Sequence, residues 1–284
     1  MTGLVDIYRL RHGEKVSALR LLAYVLFGYA VSGLFHPKAY VINTLIVLGG
    51  LLFASLLNDY YDYALLGERN AIGNVLLKGQ AKKNIVPFLV LIPWLVALGL
   101  FFLLLKLPVT NLALLLLWAS FLLSFVYAFP PFRLKERKVL GTVTPPLGIF
   151  ILFFEGLTLL AMPNMFGWMM AVIVFLFAWY LEFLHLVDDS LQRHETIKIS
   201  TGRAMRRLKA TALFGVMVSA FFVVRHPLFV VSLAGWFLRF CAVYRIIPQK
   251  VLVARRNVFS SVWRLEEFVI YAVVGIVKMF SSTL

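Results

Sequence analysis

An all-α fold, a polytopic membrane helical bundle of about nine transmembrane helices, is what this sequence predicts, and three observations predict it. The 284 residues are 62% apolar and 14% charged, with a mean hydropathy of +0.90, whereas a soluble domain is about half apolar. Apolar runs of 18 or more residues recur along the chain, each long enough to cross a hydrocarbon core of roughly 30 Å as helix. Basic residues gather in every second connection between those runs. A membrane barrel would instead show stretches of about ten residues with alternating polarity, and the runs are apolar on every side. Residues 1–284 are therefore expected to form one transmembrane domain.

The spans follow in order. The opening VDIYRLRHGEK is too polar and too long for a cleavable signal, so the first apolar run, residues 17–35, is predicted to be a permanent span. The second covers 40–63 and the third 84–105. Pro108 opens the fourth at 108–129, and Pro130-Pro131 closes it, because proline ends or starts helices more readily than it continues them. The fifth covers 139–160. Pro163 and Pro227 mark turns before the sixth and eighth, at 165–187 and 227–247. The seventh covers 209–224 and the ninth 265–283. The single cysteine, Cys241, lies inside an apolar run and cannot form an intramolecular disulfide; it reads as a small packing residue.

The formal net charge of +15 invites a nucleic-acid reading, but Lys and Arg concentrate in cytoplasmic loops of membrane proteins for topological reasons. With nine spans, 24 of the 28 basic residues fall on one side, and only Lys38, Lys106, Arg225 and Lys278 fall on the other. This asymmetry predicts an integral membrane, multi-pass protein with the N-terminus and the basic loops cytoplasmic and the C-terminus outside. No nucleic-acid partner is expected.

Only 13 residues are acidic, and their placement is informative. The second span ends in LLNDYYDYALLGERN and the sixth in YLEFLHLVDDSLQRHE. Asn58 and Asp62, four apart, share a helix face, with Asp59 adjacent; Glu182, His185 and Asp189 share a face by the same spacing. An ionisable group near hydrocarbon is costly unless it faces a cavity, a partner or an ion. Two such helix ends on one side suggest a shared cation site, and hard oxygen donors with few carboxylates suit Mg2+, which completes its shell with water and substrate phosphate. Arg133 and Lys135, in the loop after the fourth span, are positive groups able to hold a diphosphate. The plainer alternative is a set of solvated interface carboxylates, with Tyr60, Tyr61, Tyr63 and Tyr127 forming an interfacial aromatic belt.

These residues resemble the UbiA superfamily of intramembrane prenyltransferases, a nine-span helical family with two Asp-rich motifs. Asn58-Asp59-Tyr60-Tyr61-Asp62 matches the first motif, Asn-Asp-x-x-Asp-x-x-x-Asp, through its second Asp. Tyr127-Ala128-Phe129-Pro130-Pro131-Phe132-Arg133-Leu134-Lys135 resembles the family's Tyr-Ser-x-Pro-Pro-x-Arg-Leu-Lys segment. Asp189, Thr196 and Gly202 reproduce the spacing that follows the second motif, which places His185 where that motif has its first Asp. Leu66 stands at the final Asp position of the first motif, and the Arg-Pro pair that follows it in the family is missing from AIGNVLLKG. Each motif thus lacks one carboxylate.

The resemblance implies Mg2+-dependent transfer of a prenyl group from a prenyl diphosphate to a small-molecule or lipid acceptor, a step of isoprenoid biosynthesis. It implies metal binding by Asn58, Asp62 and Asp189, and catalytic roles for Asp62, Asp189, Arg133 and Lys135. Substrate contacts are expected from Asn58, Asp59, Tyr127, His185 and Asp188. Glu155, inside ILFFEGLTLL, reads either as an interhelical hydrogen-bonding group or as an acceptor-binding residue. The alternatives are a catalytically depleted relative that binds a prenyl lipid or a partner, and a transporter with an acidic ion path. Broken helices and internal repeats would mark a transporter, and no convincing repeat is present.

Overall fold

The computed structural model describes residues 17–67, 70–77, 86–192, 201–244 and 269–277, and the regular structure among them is helical. In chain order the helices are α1 (Ser17–Ser32), α2 (Pro37–Leu66), α3 (Ala71–Leu77), α4 (Val86–Leu104), α5 (Asn111–Ala128), α6 (Leu140–Thr158), α7 (Met165–Gln192), α8 (Thr201–Arg225), α9 (Val230–Val243) and α10 over residues 269–277. Single 3-10 turns occupy Leu134–Glu136 and Pro227–Phe229. Six helices, α2 and α4 to α8, contain a stretch long and apolar enough to cross a membrane, and α1 and α9 carry shorter apolar stretches. Each of the nine predicted spans therefore contains a helix, and α3 is an additional one. On α4 and α5, Phe88, Leu95, Leu115 and Leu122 are exposed, as expected of helices apolar all round that face lipid.

The chain divides into two compact units. The first holds α2 to α5, most of α1 and both ends of α6; the second holds α7 to α10, the last residues of α1 and the middle of α6. In the first unit, α1 and α6 approach through paired glycines. A Cβ at Gly28 would lie 2.4 Å from the Phe153 carbonyl oxygen, and one at Gly156 would lie 2.3 Å from that of Val25. Such close backbone contact is the usual use of small residues between membrane helices. Helix α2 packs on α4, where Gly49 faces the Pro93 carbonyl, and on α5, where Gly50 faces the Phe121 ring. Phe53, Leu56, Leu57, Ile72, Val86 and Val90 form a buried cluster beside these contacts.

In the second unit α8 packs between α7 and α9. The fully buried Trp236 lies over Gly215 and edge-on to Tyr180, with ring centroids 5.7 Å apart. The buried Arg239 guanidinium sits 4.6 Å from the Phe177 ring and 5.0 Å from that of Trp236, and such cation–π contacts favour a charge within an apolar helix. The Tyr271 hydroxyl joins α10 to α9 through Ser232 Oγ at 2.8 Å.

Candidate active site

The site is built on the last turns of α2. Its 30 residues make a helix of about 45 Å, longer than a hydrocarbon core of roughly 30 Å, so one end can project toward the headgroups. Its start is set by Pro37 in the first turn and by His36, whose Nδ1 accepts a hydrogen bond from the Ala39 N–H at 3.2 Å. Its stop is Gly67 at φ 68°, the left-handed conformation that glycine adopts without strain, with its N–H on the carbonyls of Asp62 and Tyr63. Asn70 then ties α3 to this end: its Nδ2 donates to the Asp59 carbonyl at 2.6 Å, and its Oδ1 accepts from the Gly73 N–H at 2.9 Å.

The loop after α5 comes back onto this helix end. Phe125 and Phe129 stack with centroids 4.3 Å apart, and Phe129 meets Tyr61 edge-on at 5.3 Å, which fixes where the chain leaves α5. Arg133 follows at φ 35°, an uncommon backbone region for a residue other than glycine, and its N–H donates to the Phe129 carbonyl at 3.0 Å. The side chain is thereby turned inward and is buried. Its Nε donates to Glu136 Oε1 at 2.7 Å and its Nη2 reaches Asp62 Oδ1 at 3.2 Å. Its Nη1 is buried and has no hydrogen-bond partner among the described residues, a costly state for a charged donor.

Lys135, one residue past Leu134, completes the group. Its Nζ donates to Asn58 Oδ1 at 2.8 Å and also to Asp62 Oδ1. Asn58 Nδ2 donates to Asp62 Oδ2 at 2.9 Å. Asp62 and Arg133 side chains are each 8% exposed and that of Lys135 16%, so these charges interact with less solvent screening than a surface pair. The arrangement offers two oxygens gathered on one cation, and a guanidinium with a donor to spare for an anion. Asn58 Oδ1 and the Asp62 carboxylate are hard oxygen donors of the kind Mg2+ takes, and they converge on the Lys135 ammonium. Among the described residues, no group of three or more His, Cys, Asp or Glu side chains gathers as a metal site.

Of the expected site residues, the structure brings Asn58, Asp62, Arg133 and Lys135 together. Asp59 is buried beside them, and Tyr127 is half-buried in the last turn of α5. His185 is exposed on α7; Asp188 and Asp189 lie in the same helix, and their side chains fall outside the described residues. Glu136, which anchors Arg133, was not among the expected residues; its signal was the i,i+3 spacing to Arg133 within the same loop. Glu155 is buried in the first unit, where its Oε1 accepts from Asn43 Nδ2 at 2.7 Å, and the same nitrogen donates to the Tyr29 hydroxyl at 2.7 Å. Asn43 precedes Asp62 by 19 residues on α2, about 28 Å along the axis. Glu155 thus acts between helices at the far end of α2 from the candidate site.

A helical membrane protein with an ionic cluster of this kind at one helix end belongs to a recognisable structural class. The chain has the UbiA fold. It superposes on a solved UbiA homologue from Archaeoglobus fulgidus with a TM-score of 0.68 at 16% identity, covering 98% of each chain. The same homologue bound to GPP and Mg2+ gives 0.66 at 14% identity, covering 96% of this chain and 99% of that one. A solved digeranylgeranylglyceryl phosphate synthase gives 0.69 at 14% identity, covering 98% of each. No family model and no curated protein matches the sequence.

Proposed function

We propose that this chain transfers a prenyl group from a prenyl diphosphate to an acceptor within the membrane. The observation that carries the reading is the meeting of Arg133 and Lys135 with Asn58 and Asp62 at one end of α2, with Arg133 Nη1 left as a buried donor. That the similar Archaeoglobus fulgidus protein was solved with GPP and Mg2+ supports a prenyl diphosphate as the donor. Asn58, Asp62 and Asp189 are the residues assigned to Mg2+. When bound, the ion supplies electrostatic neutralisation of the diphosphate.

The bond between the allylic carbon and the bridging oxygen breaks with its electron pair leaving on the diphosphate, and a nucleophile of the acceptor takes up the carbon. Arg133 serves the leaving group. Its fork is held by Glu136 and Asp62, so Nη1 is pre-oriented and needs no reorganisation as charge develops on a phosphate oxygen. Lys135 adds a second positive charge on a flexible stem. Asp59, Tyr127, His185 and Asp188 are assigned to substrate contacts, and the acceptor is an aromatic, quinone-precursor, glycerol-phosphate or sugar-phosphate compound. The basic loops, and with them this helix end, are assigned to the cytoplasmic side, with the C-terminus outside.

A second reading, a prenyl-lipid binder without turnover, is favoured by Leu66 and His185, which stand at two acidic positions of the family motifs. Purified protein titrated with dimethylallyl diphosphate and GPP, with Mg2+ and with EDTA, decides the first point. Binding that needs the metal is expected, and binding indifferent to EDTA would remove the prenyl-transfer reading. Metal-dependent binding with no product from any acceptor would favour the binder.

A further inference from the structure

Arg133 and Lys135 both meet Asp62, but they are held differently. Arg133 is fixed along its length, by burial, by a left-handed backbone and by Glu136 on its guanidinium. Lys135 is a point charge on a four-carbon stem, placed at its tip by Asn58 Oδ1 at 2.8 Å and by Asp62 Oδ1. The orientation of Asn58 is determined by the same contacts. Its Nδ2 donates to Asp62 Oδ2 at 2.9 Å; turned over, the amide would set its NH2 against the ammonium and its oxygen against the carboxylate. Asn58 Oδ1 and Asp62 Oδ1, one helical turn apart, therefore have one cation in common, and that cation is Lys135.

These are two of the oxygens assigned above to Mg2+. We propose that Lys135 is a built-in plug of the metal seat, its ammonium lying between Asn58 Oδ1 and Asp62 Oδ1 until metal and diphosphate arrive together, when it transfers to phosphate oxygens. The proposal rests on the prenyl-diphosphate reading. The transfer is balanced in charge: the divalent ion replaces the ammonium at the oxygens, and the diphosphate supplies the negative charge that Lys135 gives up on leaving Asp62. A metal ion alone lacks that compensation, because it must expel the ammonium with no anion to receive it while Arg133 remains on the same carboxylate oxygen. Leu66 strengthens the bias, since it cannot add a carboxylate with which the metal might win the seat. Free metal is thus kept out, and metal and diphosphate each become a condition for the other, a reciprocal coupling between two ligands.

Full-length protein in detergent is titrated with Mn2+ alone, followed by electron paramagnetic resonance, and again with pyrophosphate present. Wild type is expected to bind Mn2+ alone roughly tenfold more weakly than either Lys135→Met or Lys135→Gln. Pyrophosphate is expected to tighten Mn2+ binding at least as much in wild type and far less in the two variants. Thermal melts show whether either variant has lost its fold, in which case the other carries the comparison. Variants that hold Mn2+ alone no more tightly than wild type would overturn the plug, as would wild type that binds Mn2+ equally with and without pyrophosphate. Failure of GPP to bind wild type with any metal would overturn the prenyl-transfer reading instead, and it is read independently of the Mn2+ titration.

Discussion

One carboxylate oxygen, Asp62 Oδ1, accepts from two cations, so the effect of a substitution depends on which partner it strands. In Asp62→Ala the guanidinium and the ammonium lose their shared anion in a site where both side chains are largely buried. Stranding a buried charge costs several kcal/mol, reduced here because Lys135 can swing toward water, so unfolding in detergent is expected to show a loss of about 2 kcal/mol. Mg2+-dependent diphosphate binding should vanish with it. Arg133→Lys should instead leave the metal requirement intact and weaken diphosphate binding roughly tenfold, because an ammonium cannot hold Glu136 and Asp62 and still present a spare donor. Titration of both variants with pyrophosphate and Mg2+ separates the two outcomes, and equal losses would dissolve the division of roles. The shared face of Asn58 and Asp62 was legible in the sequence because i,i+4 spacing is local. The seating of Lys135 on Asn58 joins residues 77 positions apart, and periodicity carries no information about a contact made by tertiary packing.

Helix ends show what hydropathy does and does not report. The sixth span was expected to stop at residue 187 and the seventh to start at 209, yet α7 runs to Gln192 and α8 starts at Thr201, taking Arg203, Arg206 and Arg207 into helix. Apolar runs mark where hydrocarbon ends, whereas the backbone ladder continues until a cap or a breaker stops it. The short α3 was missed because its seven residues carry too little periodicity to detect. Nor did the sequence distinguish glycines that hold helices together from those that do not. A Cβ at Gly156 would meet the Val25 backbone at 2.3 Å, and one at Gly99 would meet nothing within 4 Å. Gly156→Ala must therefore push α6 away from α1, at a cost of about 1 to 3 kcal/mol. Gly99→Ala is expected to be neutral or to stabilise α4 by up to about 1 kcal/mol. Thermal unfolding of the two variants side by side checks this, and similar melting temperatures would mean that α1 and α6 separate freely.

For the whole molecule, the positions of the long apolar helices could be read from apolar runs, because hydropathy is a one-dimensional property. The division into two units, with α1 and α6 contributing turns to each, could not, since hydropathy says nothing about which helices pack together. The charge asymmetry makes a further claim that packing alone cannot supply: successive connections lie on opposite sides of the membrane. Helix α5 is the sharpest place to test it. Its 18 residues span about 27 Å, close to the thickness of the hydrocarbon core. The connection before it carries Lys106 alone, whereas the one after it carries Arg133, Lys135, Arg137 and Lys138. Single cysteines in a Cys241→Ser background, placed at the exposed positions Lys106, Arg137, Asn164 and Arg206, should divide in pairs when sealed vesicles meet a membrane-impermeant thiol reagent. Arg137→Cys and Arg206→Cys are expected to react from the cytoplasmic side, and Lys106→Cys and Asn164→Cys from the outside. Labelling of Lys106→Cys and Arg137→Cys from one side would mean that α5 does not cross, which would move every later connection to the opposite face. The loop bearing Arg133 and Lys135 would then leave the membrane on the face opposite the end of α2, against the contacts both residues make with Asp62.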